Sequence, residues 1–97
     1  PKVAPLIMVI ANLYSYYVKL LLLHSSEDKS RDAIAKLLSV NPYFVNEYLT
    51  AAKFYNKDKC VSSISFLREA DKMVKGFGYS GLDEHAIMSE LMYKLLH

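Results

Sequence analysis

The chain has 97 residues, 12 Lys and Arg against 10 Asp and Glu, a formal net charge of +2, and one cysteine, Cys60. That length makes one domain with a helical core that needs no staples. The interspersed charge is weaker than a phosphate-backbone binder usually carries, and a lone cysteine excludes an internal disulfide framework and fits a reducing cytosol.

Hydrophobic residues make up 53% of the chain, with eight tyrosines and no tryptophan. A domain this small has little interior, so part of that surface is expected outside, where Tyr and Phe mark partner interfaces. The alternative is that the tyrosines fill helix seams with their hydroxyls at the edge.

Helix one is predicted from Pro5 to His24, with Pro5 in the first turn, where its missing N–H costs nothing. The stretch from Val3 to Leu23 is nearly long enough to span a bilayer. Asn12, Ser15, Tyr16 and Lys19 recur at helical spacing as a polar stripe, and a lipid-facing helix does not keep Lys19 and Asn12 in mid-span. The expectation is a central helix buried on most sides rather than a membrane anchor. No secretory signal with a basic start and a cleavage site precedes it. A start at Pro1 that runs straight into an apolar helix reads as a piece of a longer protein, from its C-terminal end.

A polar loop, residues 24–29, leads to Ser30, the expected N-cap of helix two, with Asp32 in the first turn. Ala33, Ile34, Leu37 and Leu38 form its apolar stripe. Ser39-Val40 is the turn, and Asn41 caps a third helix that starts at Pro42 and ends near Tyr55 and Asn56. This is helix-turn-helix grammar, which points to DNA. The charges disagree: the third helix carries only Glu47 and Lys53 and offers Tyr43, Phe44, Val45, Tyr48, Leu49, Phe54 and Tyr55, not a row of groups for bases and phosphates. The motif reads as a packing unit.

Helix four is expected from Asp58 to Lys75, with Val61, Ile64, Phe66, Leu67, Ala70, Met73 and Val74 as its apolar positions and Gly76 as its stop. Its charges, Arg68, Glu69, Asp71, Lys72 and Lys75, read as a solvated face with an Asp71–Lys75 pair four residues apart. A mobile loop, 76–81, carries Phe77 and Tyr79. Helix five starts near Asp83 and buries Ala86, Ile87, Leu91 and Leu95, joined by Met88 and Met92. No stretch alternates with period two, so the fold class is all-α, a five-helix bundle.

Chemistry is sparse. His24, His85 and His97 share no ligand spacing with Cys60. Gly76, Gly78 and Gly81 follow a helix and lack the Lys-Ser/Thr of a phosphate loop. Ser62, Ser63 and Ser65 have no histidine nearby and read as plain surface. Cys60 lacks an activating base and reads as a small buried hydrophobe. No catalytic residue, cofactor or metal is implied.

The order of three motifs carries a resemblance: Ile-Ala-Lys-Leu-Leu (34–38) leading into Val-Asn-Pro-Tyr-Phe-Val (40–45); Glu69-Ala70-Asp71 followed by Lys75-Gly76; and a leucine-rich last helix opening with Leu82-Asp83. Together they resemble, over nearly the whole chain, the C-terminal domain of the delta subunit of the bacterial DNA polymerase III clamp loader. Ser39 stands where that family often has glycine, and the third helix is less basic, which speaks against direct DNA contact. The resemblance implies a non-catalytic, cytoplasmic role in DNA replication. The domain would hold its subunit in a five-membered collar beside the ATPase and delta-prime subunits, while upstream domains engage the sliding clamp. A ring position needs two faces for two neighbours, and the candidates are Tyr14, Tyr16, Tyr17, Tyr43, Tyr48, Tyr55, Phe77 and Tyr79. The competing readings are a helix-turn-helix DNA-binding module and a small helical enzyme or ligand carrier.

Overall fold

The computed structural model describes residues 3–76 and 81–96. They form five α-helices and one 3-10 turn, with no strand among them: α1 (Val3–Ser25), α2 (Arg31–Leu38), the 3-10 turn (Pro42–Phe44), α3 (Val45–Phe54), α4 (Lys57–Gly76) and α5 (Gly81–Leu96). The architecture is all-α. Phe77 and Tyr79, and most of the loop expected around them, lie outside the described residues, as do the side chains of Ile87 and of the other two histidines, His85 and His97. The chain groups into two compact units, Tyr16–Val61 and the pair of segments Pro1–Ser15 and Ser62–His97.

Within Tyr16–Val61 the local signals act as the sequence suggests. Ser30 Oγ accepts the Ala33 N–H at 3.4 Å and starts α2. Just before it, Asp28 Oδ1 accepts the Ser30 N–H at 2.9 Å, a bond that favours the carboxylate and holds its pKa below the usual range. The C-terminus of α1 is closed by Lys29, whose Nζ donates to the Leu23 and Ser26 carbonyls. A cation there meets the negative end of the helix dipole.

The expected third helix is divided. Asn41 Oδ1 caps the Tyr43 N–H at 2.8 Å, and the Phe44 and Val45 amides bond three residues back, to Asn41 and Pro42. Phe44 has φ −90° and ψ −4°, so the tight turn persists to that point and α3 proper begins at Val45. Asn56, expected only to break the chain, caps α4 by accepting the Lys59 N–H at 2.8 Å, which moves the start of α4 to Lys57. Helix five likewise starts earlier than expected, at Gly81.

The core of this unit is Leu23, Ile34, Ala35, Leu38 and Val45, with Val40, Tyr48, Leu49 and Ala52 packed against it. Ile34 and Leu38 are fully buried, and side chains of that size contribute about 1.5–3 kcal/mol each when removed from water. Leu37, predicted on this stripe, is exposed. Ala35 is buried instead, three residues before Leu38 on the same helix face.

In the other unit, Ser63, Leu67, Ala70 and Val74 form a buried stripe on α4 at the i, i+4, i+7, i+11 spacing of one helix face. Leu91 and Leu95 are buried on α5, while Ala86, Met92 and Met73 are exposed, and so is Val61 at the end of the first unit, against expectation. Each of the four lies off the buried stripe of its helix. Ser63, read as surface, is 0% exposed and its Oγ has no partner. Its hydroxyl shares the stripe of Leu67 and Val74, and helical register, not polarity, decides where it points. The Asp71–Lys75 pair forms at 3.1 Å, beside Glu69–Lys72 at 3.7 Å, on the solvated face of α4.

Helix α1 departs from its expected burial on most sides. Leu6, Ile10, Tyr17, Leu20 and Leu23 are buried, whereas Met8, Val9 and Leu22 are exposed. Partners cover one line of the helix and its apolar residues outnumber the places on that line. The segment Leu6–Ser25, 20 residues, is long and apolar enough to cross a membrane by length and composition; Asn12 and Ser15 of the polar stripe are exposed within it, and Tyr16 and Lys19 are half-buried.

Candidate functional site

Four of the candidate tyrosines come together between α1 and α3. Tyr16 and Tyr48 have ring centroids 5.8 Å apart at 37°, Tyr16 and Tyr17 lie 5.4 Å apart edge-on, and Tyr17 and Tyr55 lie 5.4 Å apart at 88°. The result is a ladder, Tyr48–Tyr16–Tyr17–Tyr55. Edge-to-face pairs add about 0.5–1.5 kcal/mol beyond their burial. Tyr17 is its inner rung: at 4% exposure it is a core residue and not a docking surface. Burial and the neighbouring Tyr55, including a hydrogen bond to its side chain, push the Tyr17 hydroxyl well above its ordinary pKa. Tyr16, Tyr48 and Tyr55 are half-buried, so the seam explanation holds for this group.

The backbone at the foot of the ladder is tied down as well. Tyr55 ends α3 in an extended conformation, leaving its carbonyl outside the helix. His24 Nε2 lies 2.7 Å from that oxygen and donates to it, since a carbonyl only accepts; Cys60 Sγ donates to the same atom at 3.6 Å. His24 thus joins the ends of α1 and α3. Cys60 is fully buried, and burial raises its thiol pKa, which keeps the sulfur un-ionised and unreactive.

The other two described candidates, Tyr43 and Tyr14, face outward. Tyr43 is 79% exposed and stacks edge-on against Phe44 at 5.2 Å. Tyr14, at 36%, borders a groove of about 340 Å³ with Ile10, Leu67 and Arg68. The largest apolar side chains offered to solvent include Phe54, at 79%, named on the third helix but not among the interface candidates, and Tyr93 and Leu96 on α5, which the sequence did not single out. Helical phase is the signal that finds Phe54. It falls with Asn46, Thr50 and Lys53 on the exposed side of α3, opposite Val45, Leu49 and Ala52.

A second groove, about 240 Å³, runs between α4 and α5 and is floored by Phe66, Ala70, Met73 and Leu91. Lys94 lies over the Phe66 ring, 4.9 Å from its centroid, and pairs with Glu90 at 3.1 Å. Among the described residues no three His, Cys, Asp or Glu side chains gather where a metal would need them. What the surface offers is apolar and aromatic contact area, in both units. Compared with protein-family models, curated proteins and solved structures, the chain matches none.

Proposed function

We propose that this chain is a non-catalytic helical assembly module. Its proposed place is the collar of a bacterial DNA polymerase III-type clamp loader, as the C-terminal domain of a delta subunit in the cytoplasm. The observation that carries the assembly reading is the outward display of Tyr43 and Phe54, each 79% exposed, on a short, tightly capped helix-turn-helix. Rings so placed gain little in a monomer and much when a partner covers them. Each compact unit carries its own exposed apolar set, Leu37, Tyr43, Phe44 and Phe54 in one and Met8, Tyr93 and Leu96 in the other. A subunit that meets two different neighbours in a ring needs two such surfaces. The collar assignment itself rests on the order and spacing of the three sequence motifs.

The test is light scattering coupled to size-exclusion chromatography on the chain mixed with clamp-loader ATPase and delta-prime collar domains from the same source. A stable mixed complex supports the collar. A chain that stays apart at tens of micromolar, while pairing with itself or with nothing, removes it.

A further inference from the structure

Beside the tyrosine ladder lies an open groove of about 330 Å³ lined by Tyr16, Val40, Phe44, Glu47 and Tyr48. Its walls come from four places in one compact unit: α1, the residue after the α2 cap, the 3-10 turn and α3. We propose that this groove binds the guanidinium group of an arginine presented by a partner protein.

Three aromatic rings and one carboxylate line it, and no basic side chain does. Ring faces carry negative charge density and attract cations, most strongly where water is partly excluded. Glu47 supplies a full negative charge. It lies in the first turn of α3. Glu47 takes no part in the ion pairs Glu69–Lys72, Asp71–Lys75 and Glu90–Lys94. Its field reaches the wall opposite: burial first, then Tyr55, Tyr48 and Cys60, raise the Tyr16 hydroxyl pKa, and Glu47 adds to the rise.

The shape selects the cation. A single carboxylate among rings cannot satisfy a bare metal ion. The tilted Tyr16 and Tyr48 rings suit a flat group that stacks on one face and reaches a carboxylate with its edge. Guanidinium does both, with a fork that matches carboxylate oxygens; ammonium is a compact, strongly hydrated point charge and does neither as well. The source in a partner rests on the assembly reading: Phe44 lines the groove and, with Tyr43, belongs to the exposed aromatic surface described above, so a partner covering those rings passes over the opening.

The experiment titrates N-acetyl-arginine amide into the chain and follows the aromatic-ring NMR signals, with the lysine and citrulline amides in parallel. Saturable shifts confined to Tyr16, Phe44 and Tyr48 are expected with the arginine amide. Citrulline, isosteric and uncharged, should bind at least about tenfold more weakly, and Glu47→Gln should weaken arginine binding by about fivefold or more with the rest of the spectrum unchanged. No saturable shift, equal binding of citrulline or lysine, or an unaltered Glu47→Gln titration each overturns the site. This arm needs no partner, so its failure leaves the assembly reading standing. If Glu47→Gln loses the amide yet joins the mixed complex with undiminished affinity, the partner source is overturned.

Discussion

Ser39 is the sharpest test of the fold's local energetics. It has φ 57° and ψ 45°, the one non-glycine residue with positive φ among the described residues. Its N–H bonds to the Lys36 carbonyl at 3.3 Å and the next amide, Val40, reaches back to Ala35 at 3.0 Å. That pair of bonds is a Schellman close, and Val40 packs against the core cluster as the motif requires. A residue with a Cβ pays about 1–2 kcal/mol to sit in this region. Glycine pays nothing there but loses more freedom on folding, which returns about 0.4–1 kcal/mol. Ser39→Gly should therefore stabilise the chain by about 0.5–1 kcal/mol, a rise in Tm of roughly 2–8 °C for a domain of this size. Thermal melts followed by far-UV circular dichroism, with urea midpoints as a second measure, would read it. Ser39→Ala is the control, since it keeps the Cβ and the strain. If Ser39→Gly melts at or below Ser39→Ala, the backbone does not hold the left-handed conformation and the reasoning fails.

Three further outcomes follow from individual side chains. Ser63→Ala removes a buried hydroxyl without a partner and should raise stability by about 1 kcal/mol in urea titration; a loss would mean that the hydroxyl has a partner after all. Tyr43→Ser combined with Phe54→Ser should leave the unfolding free energy within about 0.5 kcal/mol of wild type while weakening association with the proposed collar partners at least tenfold, whereas alanines at Asn46, Thr50 and Lys53 should change neither. Intact assembly of the double variant would move the interface elsewhere. The Tyr17 phenol has a raised pKa when folded, so above pH 10 the unfolded chain gives up a proton that the folded chain keeps. Its contribution is complete below pH 10 and falls by up to about 1.4 kcal/mol per pH unit above it. Tyr17→Phe should flatten the alkaline arm of a stability–pH curve, and an equally steep arm in the variant would show that other groups cause it.

The caps were legible because they are short-range chemistry. Ser30, Asn41 and Pro42 each act on an amide or a torsion within three residues, and the residue type alone says what it does. The buried stripe of α4 was half legible. Leu67, Ala70 and Val74 follow from period and hydrophobicity, whereas Ser63 shares their face and breaks their chemistry, so a reading by residue type sends it to the surface. The tyrosines were not separable at all. Tyr16 and Tyr17 are adjacent on α1, yet one is half-buried beside a groove and the other is sealed in the core. Only the position of α3, set by the division of its helix at Phe44, determines which ring Tyr48 and which ring Tyr55 will meet. The sequence places Phe54 among the aromatic residues of the third helix but not among the interface candidates, because its exposure follows only once the phase of α3 is fixed by Val45 and Leu49.

The same local chemistry bears on how this surface would bind. Tyr43 and Phe44 sit in a turn whose two ends are held: Val40 packs on the core before it and Val45 is fully buried after it, with Asn41 capping from inside. The rings also brace one another edge-on. Exposed side chains ordinarily lose about 0.5–1.5 kcal/mol each in freedom when a partner immobilises them. Here much of that ordering is done by folding, because the backbone beneath the rings is fixed by capping and burial rather than by the partner. A surface built this way can be small and still specific. It follows that Asn41→Ala should weaken association through loss of the cap, by more than its effect on the melting midpoint accounts for. If association falls only in proportion to the folded fraction, the turn is not held in advance, and the exposed rings are ordered by the partner instead.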